Sequence, residues 1–423
     1  GGVKAAAARR IAIVGGGPAG LSAAYAVARL GHDATIFERE PSLGGILRTG
    51  IPSYRLPRDV LDAEVAAIVG LGVEARCGVT LDRAGMVDLA EGYDALVIAT
   101  GLQKLRALAT PGAELAGVEQ GIAFLHRQSA GGDVGLRGHV LVLGGGNTAL
   151  DCARSALRAG AERVTIAYRR TRKEMPAIAL EVEEAVDEGV ELLFQRQPVA
   201  VHGGGRVEAI ELAEVEMGEP DESGRRRPVV SDRSARFECD AVLLALGQSA
   251  DHALLPDGWT IEGGRVHREG SPISVFAAGD LATGDGTVSH AIGDGRRAAL
   301  RALEGLGEDA LRNRSAATET TVAVDQLRLD YFVHLPAAIE THADPVERTR
   351  HYGEVNQGID APAEAARCIS CGRCTHCDTC LVFCPDGVIY RDGSGYEIDQ
   401  EYCKGCGICV LECPRGCMEM KTL

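Results

Sequence analysis

The stretch that decides the fold is IAIVGGGPAGL, residues 11–21, in which an apolar run leads into Gly15, Gly17 and Gly20. In such a turn the first glycine permits a tight bend and the second lets the backbone approach a pyrophosphate. The third glycine lets the following helix pack closely against the strand. The stretch therefore predicts a strand, a phosphate-binding turn and a helix.

The residues around this turn extend the prediction. Pro18 and Ala19 open the helix, whose N-terminus attracts phosphate charge. The next apolar run, DATIFE, ends in Glu38. At this spacing along the sequence, an acid accepts hydrogen bonds from the ribose hydroxyls of an adenosine. A glycine turn with a strand, a helix and a correctly spaced acid predicts a dinucleotide site.

A second copy of the turn lies in LVLGGGNTALDCA, residues 141–153. Gly144 and Gly146 repeat the first two glycines, and alanine is an accepted variant in the third place. Asn147 and Thr148 open the predicted helix. This copy predicts a nicotinamide dinucleotide site.

The strand after the second turn, VTIAYRR, ends in Arg169 and Arg170, where NAD sites prefer an acid. Arginine there can pair bidentately with a 2′-phosphate, which favours NADP. It can also stack on adenine without a phosphate, so NAD stays open.

Further stretches indicate that the first nucleotide is FAD. LGGILRTGIPSYRLP follows the second strand, DALVIATG precedes the middle of the chain, and FAAGDLATGDGTVSHAIGDG returns late. An acid in a Gly-Asp turn can bind a ribityl hydroxyl, and the helix after TVSHAI can face a flavin ring. The candidate cofactor-binding residues outside the two turns are Gly45, Leu47, Arg55, Thr100, Gly101, Gly247, Gly279, Asp280, Thr287 and Val288.

The order of these features predicts a nested α/β architecture. Continuous apolar runs that alternate with helix-like segments are typical of parallel strands buried on both faces. Because the flavin stretches return after the second turn, the nicotinamide domain is expected inside the FAD domain. We predict two Rossmann-like domains and a small α+β ferredoxin domain, with an FAD domain at 1–110 and 250–305, an NAD(P) domain at 111–249, a linker at 306–366 and a ferredoxin domain at 367–423.

Cysteine is concentrated at one end of the chain. Eleven of the 14 cysteines lie between Cys368 and Cys417. They contain two runs of the form C-x2-C-x2-C-x3-C-P, in which each triplet wraps one [4Fe–4S] cluster and the fourth cysteine reaches the other cluster. The predicted ligand sets are Cys374, Cys377, Cys380 and Cys413 for one cluster, and Cys403, Cys406, Cys409 and Cys384 for the other.

The cysteine runs leave alternatives. Zinc also uses C-x2-C pairs, although two complete triplets with Cys-Pro favour clusters. Cys368 and Cys371 continue the same three-residue register, so Cys371, Cys374 and Cys377 could form the first triplet instead. A third metal and buried thiols are both open for these spare cysteines and for Cys417.

Composition excludes several classes of protein. The 423 residues carry a formal net charge of −16, which argues against gripping nucleic acid or anionic lipid. No apolar run approaches the ~18 residues of a membrane span. The N-terminal residues lack a signal-peptide core, and clustered cysteines suit a reducing compartment, so we expect a cytoplasmic protein.

These motifs together resemble the small-subunit family of glutamate synthase, which are FAD-dependent NAD(P)H oxidoreductases. The matching stretches are VGGGPAGL, GILRTGIPSYRLP, GGGNTALDCA, YRRTRKEMPA, ALGQSAD and FAAGD. That family carries its iron–sulfur module before the first turn, whereas here it follows at the C-terminus. The tail resembles the ferredoxin-type subunit of 2-oxoacid:acceptor oxidoreductases. The resemblance implies an NAD(P)-reducing subunit of such a complex, of phenylglyoxylate or 2-oxoglutarate type.

The expected function is electron transfer. Clusters exchange single electrons, nicotinamides exchange a hydride, and flavin can do both. We expect electrons from a partner subunit or a ferredoxin-like carrier to pass through two clusters and FAD to NAD(P)+, with no side chain acting as acid or base. The reverse flow, electron bifurcation and a non-enzymatic redox sensor are alternatives. Cys77, Cys152 and Cys239 form no C-x2-C pair, which argues against a disulfide reductase.

Overall fold

A computed structural model describes residues 8–132, 135–220, 226–284, 286–308, 322–393 and 395–421. The chain divides into two compact units. Unit 1 is Gly1–Leu311 with Ala343–Val355, and unit 2 is Arg312–His342 with Asn356–Leu423. The predicted linker is thus shared between the units, and the domain bounds stay a prediction at the level of individual residues.

Unit 1 has two kinds of strand: those formed by its short apolar runs are mostly buried, whereas the more polar strands are largely exposed. Their bounds are β1 Arg10–Val14, β2 Asp33–Glu38, β3 Glu74–Cys77, β4 Ala95–Ile98, β5 Leu102–Leu105, β6 Val118–Gln120, β7 His139–Leu143, β8 Arg163–Tyr168, β9 Glu191–Phe194, β10 Arg196–His202, β11 Ala209–Pro220, β12 Arg226–Glu238, β13 Ala241–Leu244, β14 Gln248–Ala250, β15 Trp259–Glu262, β16 Arg265–Arg268 and β17 Ser271–Ala277.

The helices of unit 1 alternate with these strands, as the sequence predicts. Several are rich in alanine and pack their small side chains against the sheets. Their bounds are α1 Pro18–Arg29, α2 Ile46–Thr49, α3 Arg58–Val69, α4 Arg83–Gly92, α5 Gly121–Ser129, α6 Asn147–Arg158, α7 Ala179–Asp187, α8 Asp280–Thr283, α9 Val288–Gly305 and, in the returning segment, a short helix Pro345–Arg348.

Two parallel sheets carry the two turns. The first has seven strands in the order β15-β16-β17-β4-β1-β2-β3, of which β17 to β3 run parallel and the other two pair antiparallel. The second has five parallel strands in the order β6-β13-β7-β8-β9. Because strands from both ends of unit 1 enter the first sheet, the second sheet is inserted within it. The predicted nested α/β fold is confirmed.

Smaller elements connect and decorate these sheets. β10, β11 and β12 form an antiparallel sheet, and β5 pairs with β14 between the two main sheets. Strands β4 and β13 end at Ile98 and Leu244, and the chain then continues into the loops that contain Gly101 and Gly247.

Unit 2 holds the cysteine runs and part of the predicted linker. Arg328 donates to the carbonyl of Leu411 at 3.2 Å, and the hydroxyl of Tyr331 donates to Glu412 at 2.6 Å, so residues 324–331 pack on the cysteine-rich module. The elements of unit 2 are the 3-10 turns Val324–Gln326 and Leu329–Tyr331, the strands Thr341–His342, Asn356–Gly358, Ile389–Asp392 and Gly395–Ile398, and the helices Ala361–Ala365, Thr379–Val382 and Ile408–Leu411.

Within the described ranges, none of the helices is at once long enough and apolar enough to span a bilayer.

Candidate functional site

At Gly15 and Gly20 the first glycine turn is too crowded for any larger residue. Gly15 has φ of 103°, and a Cβ built on it would lie 2.4 Å from the carbonyl oxygen of Ala99. A Cβ on Gly20 would lie 1.8 Å from the carbonyl oxygen of Gly15. Helix α1 can therefore approach β1 closely only because both positions are glycine.

The N-terminus of α1 faces an open cradle of backbone. Gly17 caps the helix without a side-chain hydrogen bond, so no side chain covers the first-turn amides at this position. Opposite it, a Cβ built on Gly45 would lie 2.7 Å from Cα of Gly17. Two glycine backbones thus meet at a positively polarised helix end, which fits a pyrophosphate group.

Glu38 lies where the sequence places it, at the end of β2. Its side chain is 7% exposed, and its two oxygens accept from the amides of Gly16 at 2.6 Å and Glu40 at 2.9 Å. Each oxygen keeps a further lone pair for a ligand hydroxyl. These contacts fix the carboxylate beside the turn, as ribose recognition requires.

The returning segment meets the same edge of the sheet. The amide of Gly279 donates to the buried carboxylate of Asp294 at 2.8 Å, and a Cβ on Gly279 would lie 2.7 Å from Cβ of Ala19. The carboxylate of Asp280 accepts from Gly286 at 3.2 Å. Sequence reasoning missed Asp294, although it lies in the quoted HAIGDG segment. Asp294 holds the Gly-Asp turn against the start of α1.

Helix α9 begins beside this turn. The hydroxyl of Thr287 accepts from the amide of His290 at 3.4 Å and caps the helix, which starts at Val288. A Cβ on Gly295 would lie 2.0 Å from the carbonyl oxygen of Ala19, so α9 packs directly on α1. The flavin stretches from both ends of unit 1 therefore converge at one helix N-terminus.

The remaining predicted flavin residues lie on short elements near this edge. Leu47 belongs to α2, and the carbonyl of Thr100 accepts from Gln103 at 2.6 Å. Gly101 and Gly247 flank the β5–β14 pair that joins the two halves of unit 1. Their roles as cofactor contacts stay a prediction.

The second glycine turn has the same plan with more space. A Cβ on Gly144 would lie 2.3 Å from the carbonyl oxygen of Ala245, whereas nothing lies within 4 Å of one on Gly146. Gly146 caps α6 without a side-chain hydrogen bond, and Thr148 is exposed. The side chain of Asn147 accepts from the amide of Ile178 at 3.0 Å, which fastens the helix start to the loop before α7.

The two arginines after β8 lie in different surroundings. Arg169 is exposed, beside exposed Arg172 and Lys173. Arg170 is only 8% exposed, and its Nε donates to the carbonyl of Arg226 at 3.0 Å. Arg169 is thus the member of the predicted pair that faces solvent at the end of this strand.

Arg55 lies against the second half of unit 1. Its Nη1 donates to both oxygens of Asp151 at 2.8 and 2.9 Å, and its Nη2 pairs with Glu181 at 2.6 Å. No sequence signal links Arg55 with Asp151, because these residues are 96 positions apart. Within the protein, Arg55 therefore pairs with Asp151 and Glu181 of the second half of unit 1.

The three cysteines of unit 1 are separate and shielded. Cys152 and Cys239 are buried, and Cys77 is partly buried. Burial raises the pKa of the Cys239 thiol to about 12 and that of Cys152 well above its ordinary value. Thiols of high pKa form little thiolate near neutral pH, so these two cysteines are unsuited to disulfide exchange.

One predicted cluster set lines a single cavity in unit 2. All four cysteines of that set face it, together with the backbone around them. Hydrogen bonds from the backbone, that of Val388 first, lower the pKa of the Cys384 thiol and favour the thiolate that binds metal. The residues around the cavity are Cys384, Pro385, Asp386, Val388, Ile389, Ile398, Cys403, Lys404, Gly405, Cys406, Gly407, Cys409 and Met420.

The other predicted set is also drawn together. Burial raises the pKa of the Cys380 thiol, and negative charge on Cys377, Cys413 and Cys374 raises it further. These neighbours are the predicted members of that set, with Cys413 arriving from the second run. These neighbours fit the register that starts at Cys374, and the ligand sets stay a prediction.

The two triplet loops share one backbone shape. His376 and Asp378 have φ of 56° and 62°, and the corresponding Gly405 and Gly407 have φ of 65° and 76°. The strained Asp378 is held by an ion pair with Arg391 and by the hydroxyl of Tyr396, which donates to it at 2.7 Å. Sequence reasoning missed this support, since only the repeat of the loop could have indicated it.

The spare cysteines lie at the edge of the first loop. Cys368 and Cys371 are exposed, and the amide of Cys417 donates to the sulfur of Cys413 at 3.2 Å. Cys417 therefore supports a predicted ligand through its backbone. In the described part of the chain, no three His, Cys, Asp or Glu side chains are arranged to hold a single metal ion.

Comparison with protein families agrees with the dinucleotide turns of unit 1 and the cysteine-rich module of unit 2. The pyridine nucleotide-disulphide oxidoreductase family matches residues 9–295, and the 4Fe-4S binding domain matches residues 396–419. The second match covers one cysteine triplet, and the first triplet lies outside it. The cofactors of this chain are thus FAD, NAD(P) and [4Fe–4S] clusters.

Curated relatives match most of this chain. The NADP(+)-dependent formate dehydrogenase subunit beta of Moorella thermoacetica is 40% identical over 86% of this chain and 55% of its own length. The NADPH-Fe(3+) oxidoreductase subunit beta of Geobacter sulfurreducens is 34% identical over 86% of this chain and 62% of its own. The small chain of glutamate synthase [NADPH] from Escherichia coli is 36% identical over 69% and 67%. The chain spans little more than half of the first two relatives.

Solved structures agree on the fold. FprA of Mycobacterium tuberculosis, determined in complex with NADPH, has a TM-score of 0.62 and 19% identity over 75% of this chain and 88% of its own. The resemblance to the glutamate synthase small subunit and the NAD(P)-dependent oxidoreductase activity class are both confirmed. The chain therefore belongs to the pyridine nucleotide-disulphide oxidoreductase family, to which it adds a 4Fe-4S binding domain.

Proposed function

We propose that this chain is the NAD(P)-reducing subunit of a larger redox complex. In this proposal, a partner oxidoreductase acting on a 2-oxoacid delivers single electrons to the cysteine-rich unit, and NAD(P)+ is reduced in unit 1. The organic substrate is bound by the partner and not by this chain. When bound, the flavin supplies the chemistry that links one-electron and two-electron carriers.

The observation that carries this proposal is the coexistence of three sites in one chain. Two glycine turns face two separate helix N-termini in unit 1, and four cysteines line one cavity in unit 2. A protein that only oxidised NAD(P)H with a dissolved acceptor would need no cysteine-rich unit. The combination fits exchange between a nicotinamide and a one-electron partner.

The side chains have binding rather than proton-transfer roles. Glu38 accepts the ribose hydroxyls of FAD, and Gly17, Gly45 and the start of α1 hold its pyrophosphate. Gly146 and the start of α6 hold the nicotinamide dinucleotide. Eight cysteines in two sets hold two [4Fe–4S] clusters, which implies about eight iron atoms per chain.

Exposed Arg169 favours NADP over NAD. Its guanidinium lies at the end of β8, where a 2′-phosphate can be bound bidentately. The relatives from Moorella and Geobacter are named for NADP(+) and NADPH. Buried Arg170 would support the same loop by its contact with the carbonyl of Arg226.

A second direction of flow has its own support. Two relatives, the NADPH-Fe(3+) oxidoreductase subunit and the glutamate synthase [NADPH] small chain, are named for NADPH. By analogy, NADPH would supply electrons to this chain, which would pass them to a partner reductase. The protein environment sets cluster potentials over hundreds of millivolts, so direction is decided by measurement.

Anaerobic co-purification followed by two assays tests the proposal. Photoreduced ferredoxin should drive NADP+ reduction, and the co-purified partner should reduce the clusters when its 2-oxoacid is added. Cluster reduction by NADPH alone, with no reduction by the 2-oxoacid, would favour the reverse flow. Cluster reduction by formate or another donor instead would refute the 2-oxoacid partner.

A further inference from the structure

Arg55 joins the two halves of unit 1. It lies between β2 and α3, in the half that carries the first glycine turn, and Asp151 lies on α6 in the half that carries the second. The side chain of Asp151 is 6% exposed, and Arg55 donates to both of its oxygens. The pair is therefore largely shielded from water, so solvent and salt screen its attraction only weakly.

Tyr54, the residue before Arg55, is fastened to the same helix. It is fully buried, and the guanidinium carbons of Arg158 and Arg154 lie 3.9 and 4.9 Å from its ring centroid. Both arginines pair with Glu188, at 2.6 and 2.7 Å. Cation–π stacking thus adds a second connection from the 54–55 loop to α6.

The returning segment 343–355 contacts both the 54–55 loop and α6. The amide of Val355 donates to the carbonyl of Tyr54 at 3.0 Å, and the hydroxyl of Tyr352 donates to the carbonyl of Ser155 on α6 at 3.2 Å. Arg348 pairs with Glu188 at 2.9 Å. The loop is held to α6 from both sides.

The contact between Arg55 and Asp151 lies close to both glycine turns. Asp151 lies one helical turn after Asn147, the first residue of α6. Gly146 of the second glycine turn immediately precedes Asn147. Arg55 follows α2, whose N-cap residue Gly45 meets Gly17 of the first turn. A shift at this contact would therefore move one dinucleotide turn relative to the other.

We propose that Arg55 is a positioning residue, whose ion pairs with Asp151 and Glu181 set the distance between the flavin and nicotinamide sites. The inference rests on the proposed function, because that distance matters only if the two cofactors exchange electrons. The expectation that Arg55 contacts a cofactor stays a separate prediction, which the FAD content of an Arg55→Met variant tests. Buried ion pairs of this kind specify geometry more than they add stability.

The contact is expected to respond to pH. Burial raises the pKa of Asp151 to about 6, against the opposing effect of Arg55. The other groups acting on it are Glu181, which raises its pKa, and Arg154, which lowers it. Above pH 6 Asp151 is ionised and pairs with Arg55, and below pH 6 it is protonated and the ion pair is lost.

Paired variants test the positioning role in the FAD-loaded full chain. We expect Arg55→Met and Asp151→Asn each to slow flavin reduction by NADPH by about tenfold while the KM for NADPH changes little. The double variant should match Arg55→Met, since removing Arg55 already removes its contact with Asp151. Arg163→Met, which breaks the exposed pair with Glu191, is the matched control and should leave the rate unchanged.

Four further readouts separate positioning from flavin binding. Bound FAD per chain should equal that of wild type in Arg55→Met, and hydrogen exchange should increase in residues 53–55 and in α6. In wild type the flavin-reduction rate should fall as pH drops below 6, and this step should be absent in Asp151→Asn. Arg55→Lys should recover part of the rate.

Three results would overturn the inference. Loss of FAD from Arg55→Met with normal behaviour of Asp151→Asn would make Arg55 a flavin ligand. Unchanged rates in both variants, or additive losses in the double variant, would remove the positioning role. Failure of wild type to take up FAD or oxidise NADPH would instead contradict the proposed function, and the hydrogen-exchange comparison would still report on the contact.

Discussion

The two glycine turns of unit 1 share a sequence pattern and differ in how tightly they close. In the first, the third position is Gly20, and a Cβ there would overlap the carbonyl of Gly15. In the second, the same position is Ala149, whose Cβ is fully buried without such a conflict. The strand that follows ends in buried Glu38 in the first case and is followed by exposed Arg169 in the second.

This difference fits two kinds of ligand. The first turn is enclosed by Gly45, Gly279 and α9, which suits a cofactor that stays bound through every turnover. The second is open at Gly146, which suits a dinucleotide that enters and leaves. The same motif thus provides a permanent site or an exchange site according to what packs around it.

The largest expected effect comes from exchanging the third position. Gly20→Ala places a Cβ 1.8 Å from a backbone oxygen, so the turn must open, and we expect a chain without FAD. Ala149→Gly removes one buried methyl and should keep FAD, at a cost of about 1 kcal/mol in the free energy of unfolding. Flavin absorbance per chain and thermal unfolding measure both, and normal FAD content in Gly20→Ala would break the comparison.

A smaller effect is expected at the second glycine of each turn. A Cβ on Gly17 would meet nothing nearer than 3.8 Å and one on Gly146 nothing within 4 Å, so the protein itself tolerates either alanine. We expect Gly17→Ala to weaken FAD binding and Gly146→Ala to raise the KM for NADPH, each about tenfold, because the methyl occupies ligand space. If both variants lose FAD and neither changes the KM, the two turns do not have separate ligands.

The smallest effect is expected at the ends of the two second strands. Glu38→Gln replaces an acceptor of the Gly16 or Glu40 amide with an amide donor, which should weaken FAD binding several-fold, by about 1 kcal/mol. Arg169→Gln should leave FAD untouched and raise the KM for NADPH several-fold with little change for NADH. An unchanged NADPH/NADH preference would show that Arg169 does not read the 2′-phosphate.

Local sequence rules predicted the parts of these sites that are local. The glycine turns, Glu38 and the cysteine triplets depend on spacing within about 20 residues, where strand, turn and helix geometry fixes the outcome. The fold class followed because buried parallel strands leave a continuous apolar signature.

Contacts across the chain were not predictable in this way. The partner of Arg55 is 96 residues away, and the carboxylate that holds Gly279 belongs to α9. Arg169 and Arg170 look equivalent as a dipeptide, yet successive side chains at a strand end point to opposite faces, so one is exposed and the other buried. The packing of residues 343–355 on unit 1 likewise depends on tertiary contacts of charged residues that carry no periodic signal.

We expect this one chain to connect single-electron clusters with a two-electron nicotinamide. Anaerobic NADP+ reduction by photoreduced ferredoxin tests that connection, in wild type and in Cys406→Ala, with iron and FAD counted in each. We predict about eight irons, one FAD and NADPH formation in wild type. Cys406→Ala should lose ferredoxin-driven NADPH formation and keep NADPH–dye activity. Full ferredoxin-driven activity in a Cys406→Ala chain that has lost cluster iron would contradict the account.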